Sequence, residues 1–318
     1  MRARSASLLL LALALAACAD DVSTGPDLTA YDLVFDGEDE ALTPWLYRVR
    51  VDVADDGTVT AGAPERIGGG IQGRKPVASP DGRSIVYESV GTEETPSRLM
   101  LLRPGAAPAP LEDWLEGPSW KPAWSPDGTR IAFASARDHA YTDIYVGTLG
   151  AAAGGTRFTS VANLTRTTGG EGSTDFTPAW SPDGQLIAFT AYRPHIAVWV
   201  MRPDGSGARR VSEQSGQHGD YFPSWSPDGQ AIVFQRNTLT RLALGVVSVA
   251  GGIARVIDWP ADAATPAWSP DGRFIAFSGG TGYARDIHLI TPAGTPVAHV
   301  TRVGRDLAPA WVPRAAGW

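Results

Sequence analysis

Hydrophobic and polar positions alternate along this chain in short runs that recur at regular intervals. Ile85, Ile131, Ile187, Ile232 and Ile275 are each followed two residues later by an aromatic: Tyr87, Phe133, Phe189, Phe234 or Phe277. A spacing of two puts both side chains on one face of a strand, so the pattern predicts a strand with that face buried. Each run begins four residues after the aspartate of a Ser-Pro-Asp-Gly tetrapeptide, at Ser79, Ser125, Ser181, Ser226 and Ser269. Proline with its preset φ, followed by aspartate and a glycine able to adopt positive φ, suits a type I turn closed by a glycine bulge. Trp124, Trp180, Trp225 and Trp268 precede four of the serines, with Ala78 in that slot of the first copy, and a proline stands two residues earlier at Pro76, Pro122, Pro178, Pro223 and Pro266. Each unit therefore opens with two antiparallel strands joined by a hairpin turn.

The copies recur every 43 to 56 residues, which marks a repeat architecture. Weaker strand patterns fill the remainder, such as Asp143 to Val146 with Arg157 to Thr159, or Asp286 to Leu289 with Val297 to Val300. Four antiparallel strands per unit make one propeller blade. Prolines suit an innermost strand, whose free edge faces a channel and needs no ladder donor. The chain ends supply one more blade in two pieces. Ala308-Pro309-Ala310-Trp311 repeats the first strand without its partner, while Leu33-Val34-Phe35 repeats the second strand without a predecessor, and the segments at Leu46 to Val49 and Pro64 to Ile67 follow as third and fourth. The prediction is an all-β fold, a six-bladed β-propeller with four antiparallel strands per blade, closed by pairing the C-terminal strand with the N-terminal strands. Such closure removes free sheet edges.

The string Pro-Ala-Trp-Ser-Pro-Asp-Gly-x-x-Ile-Ala-Phe resembles the repeat of TolB-type propellers, the periplasmic component of the Tol-Pal envelope system, and the resemblance covers residues 31 to about 313. Similar repeats occur in peptidase propeller domains and in some pectin-degrading lyases. TolB itself has a separate α/β domain before its propeller, for which this chain has no room. The resemblance thus implies a binding propeller of the envelope, as a variant without that domain.

Met1 to Arg4 is basic, and Leu8 to Ala17 is an apolar run too short to span a bilayer, the pattern of a secretory signal. Its end, Leu15-Ala16-Ala17-Cys18, resembles a bacterial lipobox, which implies signal cleavage after residue 17 and acylation of Cys18, palmitate included. Cys18 is the only cysteine, so a mature disulfide is excluded. The polar stretch that follows reads as a tether of at most about 35 to 40 Å. The expected organisation is residues 1–17 signal peptide, 18–29 lipidated cysteine and tether, and 30–318 propeller. Ala19 after the cysteine favours, under the proteobacterial sorting rule, the outer membrane, facing the periplasm or the cell surface.

Composition narrows the function. Lys+Arg 27 against Asp+Glu 34 gives −7, and an acidic surface argues against nucleic acid as a partner. Lys75 and Lys121 are the only lysines; a genome biased toward arginine explains this more simply than a recognition role. No Gly-x-Ser-x-Gly elbow and no His-Glu-x-x-His helix is present. Gly68 to Gly73 matches Gly-x-Gly-x-x-Gly, but a strand follows where a dinucleotide site needs a helix. The repeated turn aspartates are spaced around a ring and read as turn caps.

Binding is therefore expected in the irregular loops at the opposite face. Loops entering the inner strands offer Arg74, Lys75, Trp120, Lys121, His218, Asp220, Tyr221 and Arg305. Loops between second and third strands offer Arg137, His139, Tyr141, Tyr192, Arg193, His195, Arg236, Tyr283 and Arg285. Arginine and aromatic side chains are enriched in binding hot spots. The expectation is a non-catalytic, monomeric, membrane-anchored propeller without a cofactor, whose partner is an envelope protein or a cell-wall or glycan component. The alternative is a metal-dependent polysaccharide lyase or hydrolase, with His139, His195 and His218 converging on a divalent ion and Asp138 or Asp220 beside them. His288 and His299 fall in outer strands and read as scaffold.

Overall fold

The structure, a computed structural model, describes residues 31–92, 95–112, 117–138, 140–152, 155–166, 174–213, 219–302 and 305–314. Residues 1–30, with Cys18, and the candidate residues His139 and His218 lie outside the described residues.

The N-terminal strands are β1 (Tyr31–Glu38), β2 (Pro44–Val53), β3 (Val59–Ala61) and β4 (Glu65–Arg66). Blade 1 follows as β5 (Arg74–Ala78), β6 (Ile85–Glu88), β7 (Leu99–Leu102) and β8 (Ala109–Pro110). Blade 2 is β9 (Ser119–Trp124), β10 (Arg130–Ser135), β11 (Asp143–Ala152) and β12 (Gly155–Asn163), and blade 3 is β13 (Thr174–Trp180), β14 (Ile187–Tyr192), β15 (Ile196–Met201) and β16 (Arg209–Arg210). Blade 4 is β17 (Gly219–Trp225), β18 (Ala231–Asn237), β19 (Leu242–Ser248) and β20 (Arg255–Ile257), and blade 5 is β21 (Asp262–Trp268), β22 (Ile275–Thr281), β23 (Ala284–Ile290) and β24 (Pro296–His299). β25 (Asp306–Pro313) is the inner strand of blade 6, in the order β25-β1-β2-β3. Leu33 opposes Trp311 and Val34 opposes Ala310 in that pairing. The fourth strand of blade 6 is split, with β3 and β4 pairing different parts of β2. Inner strands of neighbouring blades pack in sequence around the ring, including β25 against both β5 and β21, so the ring is closed.

The Ser-Pro-Asp-Gly turns are five copies of one small hydrogen-bonded unit. The glycine N–H donates to the serine carbonyl at 2.8–2.9 Å, with glycine φ between 67° and 76°. The serine hydroxyl donates to aspartate Oδ1 at 2.5–2.7 Å, and the same oxygen accepts the amide two residues on. The aspartates are thus turn caps.

The core differs from the expectation of one buried face. The isoleucines and phenylalanines are buried, but so are the residues between them: Val86, Ala132, Ala188, Val233 and Ala276. A blade is sandwiched between two neighbours, so both faces of its second strand are removed from water, and the intervening position is kept small or β-branched. Apolar clusters fill every blade interface, as where Ile144 and Val146 of blade 2 meet Ile187 and Phe189 of blade 3, and a second, smaller one of Tyr31, Val53 and Phe274 lies between blades 5 and 6. Indole N–H groups add bonds across alternate interfaces, from Trp124 to the Val77 carbonyl (3.2 Å), Trp225 to Ala179 (2.9 Å) and Trp311 to Ala267 (3.1 Å).

Candidate functional site at the channel mouth

Each inner strand carries an irregularity that the sequence pattern did not suggest. The residue before the strand proline has positive φ in all six blades: Lys75, Lys121, Thr177, Phe222, Thr265 and Ala308, at 46° to 54°. A following proline disfavours the right-handed helical region for its predecessor, and a left-handed conformation costs a non-glycine residue about 1–2 kcal/mol. At each site the ladder to the second strand slips by one register, a β-bulge that turns the side chain into the channel. Four of the displaced N–H groups are satisfied from elsewhere in the ring. Lys75 N–H donates to Asp36 Oδ1 (3.0 Å), Lys121 N–H to Glu88 Oε1 (2.7 Å), Thr265 N–H to Gln235 Oε1 (3.2 Å) and Ala308 N–H to Thr265 Oγ1 (3.2 Å). Backbone strain that the surroundings enforce in this way clusters at functional sites.

These six side chains and the six prolines line one cavity of about 120 Å³ on the ring axis. Its lining is asymmetric. Both lysines of the chain stand on adjacent blades, and Phe222, three blades from Lys75, forms the opposite wall. The Lys75 ammonium lies 5.6 Å and the Lys121 ammonium 5.2 Å from the Phe222 ring centroid, within cation–π range. Lys121 is also 3.9 Å from Glu88. Burial, reinforced by the Lys75 charge, pushes the Lys121 ammonium down to about 8. Thr177 and Thr190 share a buried hydroxyl pair at 2.7 Å. The far end of the channel is walled by Trp124, Trp180, Trp225 and Trp268 with the turn prolines.

Outside the lysines, most loop arginines are held by carboxylates. Arg236 makes a buried two-pronged pair with Asp220 at 2.7 and 2.8 Å, with its guanidinium 5.2 Å from the Phe234 centroid. Arg137 pairs with buried Glu112 and lies over Phe133 and Tyr145, and Arg193 pairs with buried Asp175 and lies over Phe189 and Trp199. Burial raises the carboxyl groups of Glu112 and Asp175 despite those partners. Arg285 reaches Asp262 at 3.4 Å, while Arg74 and Arg305 flank Glu38 at 2.9 and 3.6 Å. The recurring arrangement pins a loop to the aromatic core of its blade.

The exposed surface of this face is apolar at the blade tips. Tyr192 (41% exposed), Leu239 (76%) and Tyr283 (84%) project from second-to-third strand connections of blades 3, 4 and 5, and Leu42 and Val90 do so in blades 6 and 1. Arg305 packs 5.7 Å from the Tyr283 centroid. Tyr221 is half-buried between Phe176 and Phe222, linking this outer ring to the channel wall. Trp120 and Tyr141 are half-buried, and His195 is exposed. Sequence reasoning missed Thr177, Phe222, Thr265, Leu42, Val90 and Leu239; the residue before each repeated proline was the available signal for the first three.

His195 is the one described residue of the proposed histidine trio, and Asp220 is taken by Arg236. A different cluster lies on the outer strands of blade 5, where ligand atoms of Asp286, His288 and His299 fall within 4.8 Å of one another. The two imidazoles stack at 4.3 Å and 12°, and His299 Nε2 is 2.8 Å from Asp286 Oδ2. In-plane lone pairs of parallel, separated rings do not converge on one ion, so this arrangement is a stacked pair with a carboxylate partner.

Six closed blades, a strained ring around an axial channel and an apolar rim define a β-propeller with one elaborated face. The chain belongs to the family of the TolB beta propeller domain, which matches residues 74–315. It is 30% identical over 138 residues to an uncharacterised protein of Agrobacterium fabrum, and the match covers 43% of this chain and 42% of the length of that relative. Among solved structures, TolB from Acinetobacter baumannii superimposes with a TM-score of 0.68 at 17% identity, over 92% of this chain and 69% of that one. A candidate TolB from Agrobacterium tumefaciens does so with a TM-score of 0.53 at 22% identity, over 88% of this chain and 90% of that one. At such identities the likeness is one of fold.

Proposed function

We propose that this protein is a non-catalytic binding propeller of the bacterial cell envelope that presents its loop face and channel mouth to another envelope protein or a cell-wall glycan. The observation that carries this reading is the distribution of exposed large hydrophobic residues. Of eight among the described residues, five (Leu42, Val90, Tyr192, Leu239 and Tyr283) stand at blade tips around the channel mouth. Apolar and aromatic groups rimmed by polar residues mark interaction surfaces, and a rigid ring displays them with little ordering cost. In the same proposal, the protein crosses the inner membrane with residues 1–17 as its signal and is held by acylated Cys18 at the outer membrane. No helix among the described residues is long and apolar enough to cross a membrane.

The test is affinity capture by the full chain and by variants altered at the rim. Tyr192→Ala, Tyr283→Ala and Leu239→Ser are expected to lose the same partner while keeping the parental melting temperature. Capture unchanged in all three overturns the assignment of this face. Arg137→Ala is unsuitable, because it strands Glu112 in a buried position.

A further inference from the structure

The two lysines make the channel mouth chemically different from the rest of the ring. No other lysine exists in the chain, and both occupy the same strained position on neighbouring blades. Their nearest carboxylates are partly used elsewhere. Asp36 and Glu88 each accept a backbone N–H, from Lys75 and Lys121 respectively, and the Glu88 to Lys121 ammonium distance is a long 3.9 Å. Among the described residues no carboxylate comes within salt-bridge distance of the Lys75 ammonium, which lies over the face of Phe222. The remaining lining is proline, threonine, alanine and Val77. A charge in such surroundings is poorly solvated, and an anion between the two ammoniums would gain more there than in water. A cavity of 120 Å³ suits a compact group.

We infer that the loop-side mouth of the channel is a carboxylate-binding site, in which Lys75 and Lys121 hold the anionic group against the Phe222 ring. The carboxylate arrives either on a small organic acid or on an acidic side chain inserted by a partner. The inference rests on the reading of this face as the binding face.

Calorimetric titration of the full chain with succinate, and with a blocked Gly-Glu-Gly tripeptide, tests it. Charge-assisted hydrogen bonds contribute about 1.5–3 kcal/mol, so Lys75→Met and Lys121→Met should each weaken binding about tenfold to a hundredfold. Because Lys121 loses its proton near pH 8, affinity should fall as pH rises through that value. Lys121→Arg should keep the affinity and lose most of that alkaline fall, a response that a merely structural role would not give. The charged groups facing Lys121 are Lys75, Glu88, Asp36 and Arg74. Binding of succinate with these responses supports a free acid; binding of the tripeptide alone, with the same responses, supports an inserted side chain. Binding of neither probe, or binding indifferent to both lysines, overturns the inference. That failure is separable from failure of the face assignment, because neither titration involves the partner captured through Tyr192 and Tyr283.

Discussion

Lys121 and the turn aspartates Asp81, Asp127, Asp183 and Asp228 are all shifted downward, yet the fold disfavours the charge of the lysine and favours that of the aspartates. The Lys121 ammonium falls from its ordinary 10.5 to about 8 because burial disfavours its charge. The folded state therefore binds fewer protons than the unfolded chain between those values, and folding stability from this group rises with pH from about 8 to 10.5. Melting curves of the parent and Lys121→Met should differ accordingly: the parent gains stability relative to the variant across that window, and parallel curves would contradict it. Asp127 also falls, to about 2, but here the charged form is the one favoured, because it accepts the Ser125 hydroxyl and the Thr129 amide. Its contribution is complete above its ordinary 3.8 and is lost as pH falls through about 2. Asp127→Ala should cost about 1 kcal/mol at neutral pH in urea denaturation and lose part of that penalty in acid. The turn role of these aspartates was legible because proline, aspartate and glycine act within four residues. The role of the loop arginines was not: Arg137 and Glu112 are 25 residues apart, and only the fold shows that they meet.

The inner strand joins a legible feature to a hidden one. Alternation of isoleucine and aromatic announced the hairpins, and the prolines announced the channel edge. Proline fixes its own φ, however, and only restricts its predecessor, so the left-handed bulge before it depends on acceptors such as Asp36, Glu88 and Gln235 supplied by another blade. The strain can be tested where the side chain is smallest. Ala308, at φ 46°, has a conformation that glycine adopts freely. Ala308→Gly should leave the protein as stable or more stable by up to about 1 kcal/mol, against the usual loss for that substitution. A loss of the ordinary size would show that the conformation is not strained. The splitting of the fourth strand of blade 6 was also invisible: the pattern placed that strand at Pro64 to Ile67, over β4, and gave no signal for β3.

Closure of the ring joins the two ends of the chain and depends on one clamp beyond the strand ladder. Arg314 donates to Asp32 Oδ1 (3.0 Å), the Tyr31 carbonyl (3.1 Å) and the Val51 carbonyl (2.9 Å), and Asp32 is fully buried. Arg314→Ala should cost about 2–3 kcal/mol in equilibrium unfolding, with Arg48 still neutralising Asp32. An effect below about 0.5 kcal/mol, the range of ordinary surface substitutions, would remove the clamp from the closure. Six blades and their closure were readable because each half of the sixth repeat lacks what the other supplies. The proposed binding face was read from the sequence only as a preference for irregular loops, to which the exposed tips and the lysine-bearing channel add specific residues. Photo-crosslinking compares the faces directly, with a photoreactive residue at Ala284 beside Tyr283 on the loop face or at Gln185 just after a Ser-Pro-Asp-Gly turn, both exposed. The partner should crosslink from position 284 and not from 185; crosslinking from 185 alone would contradict a binding face at the channel mouth.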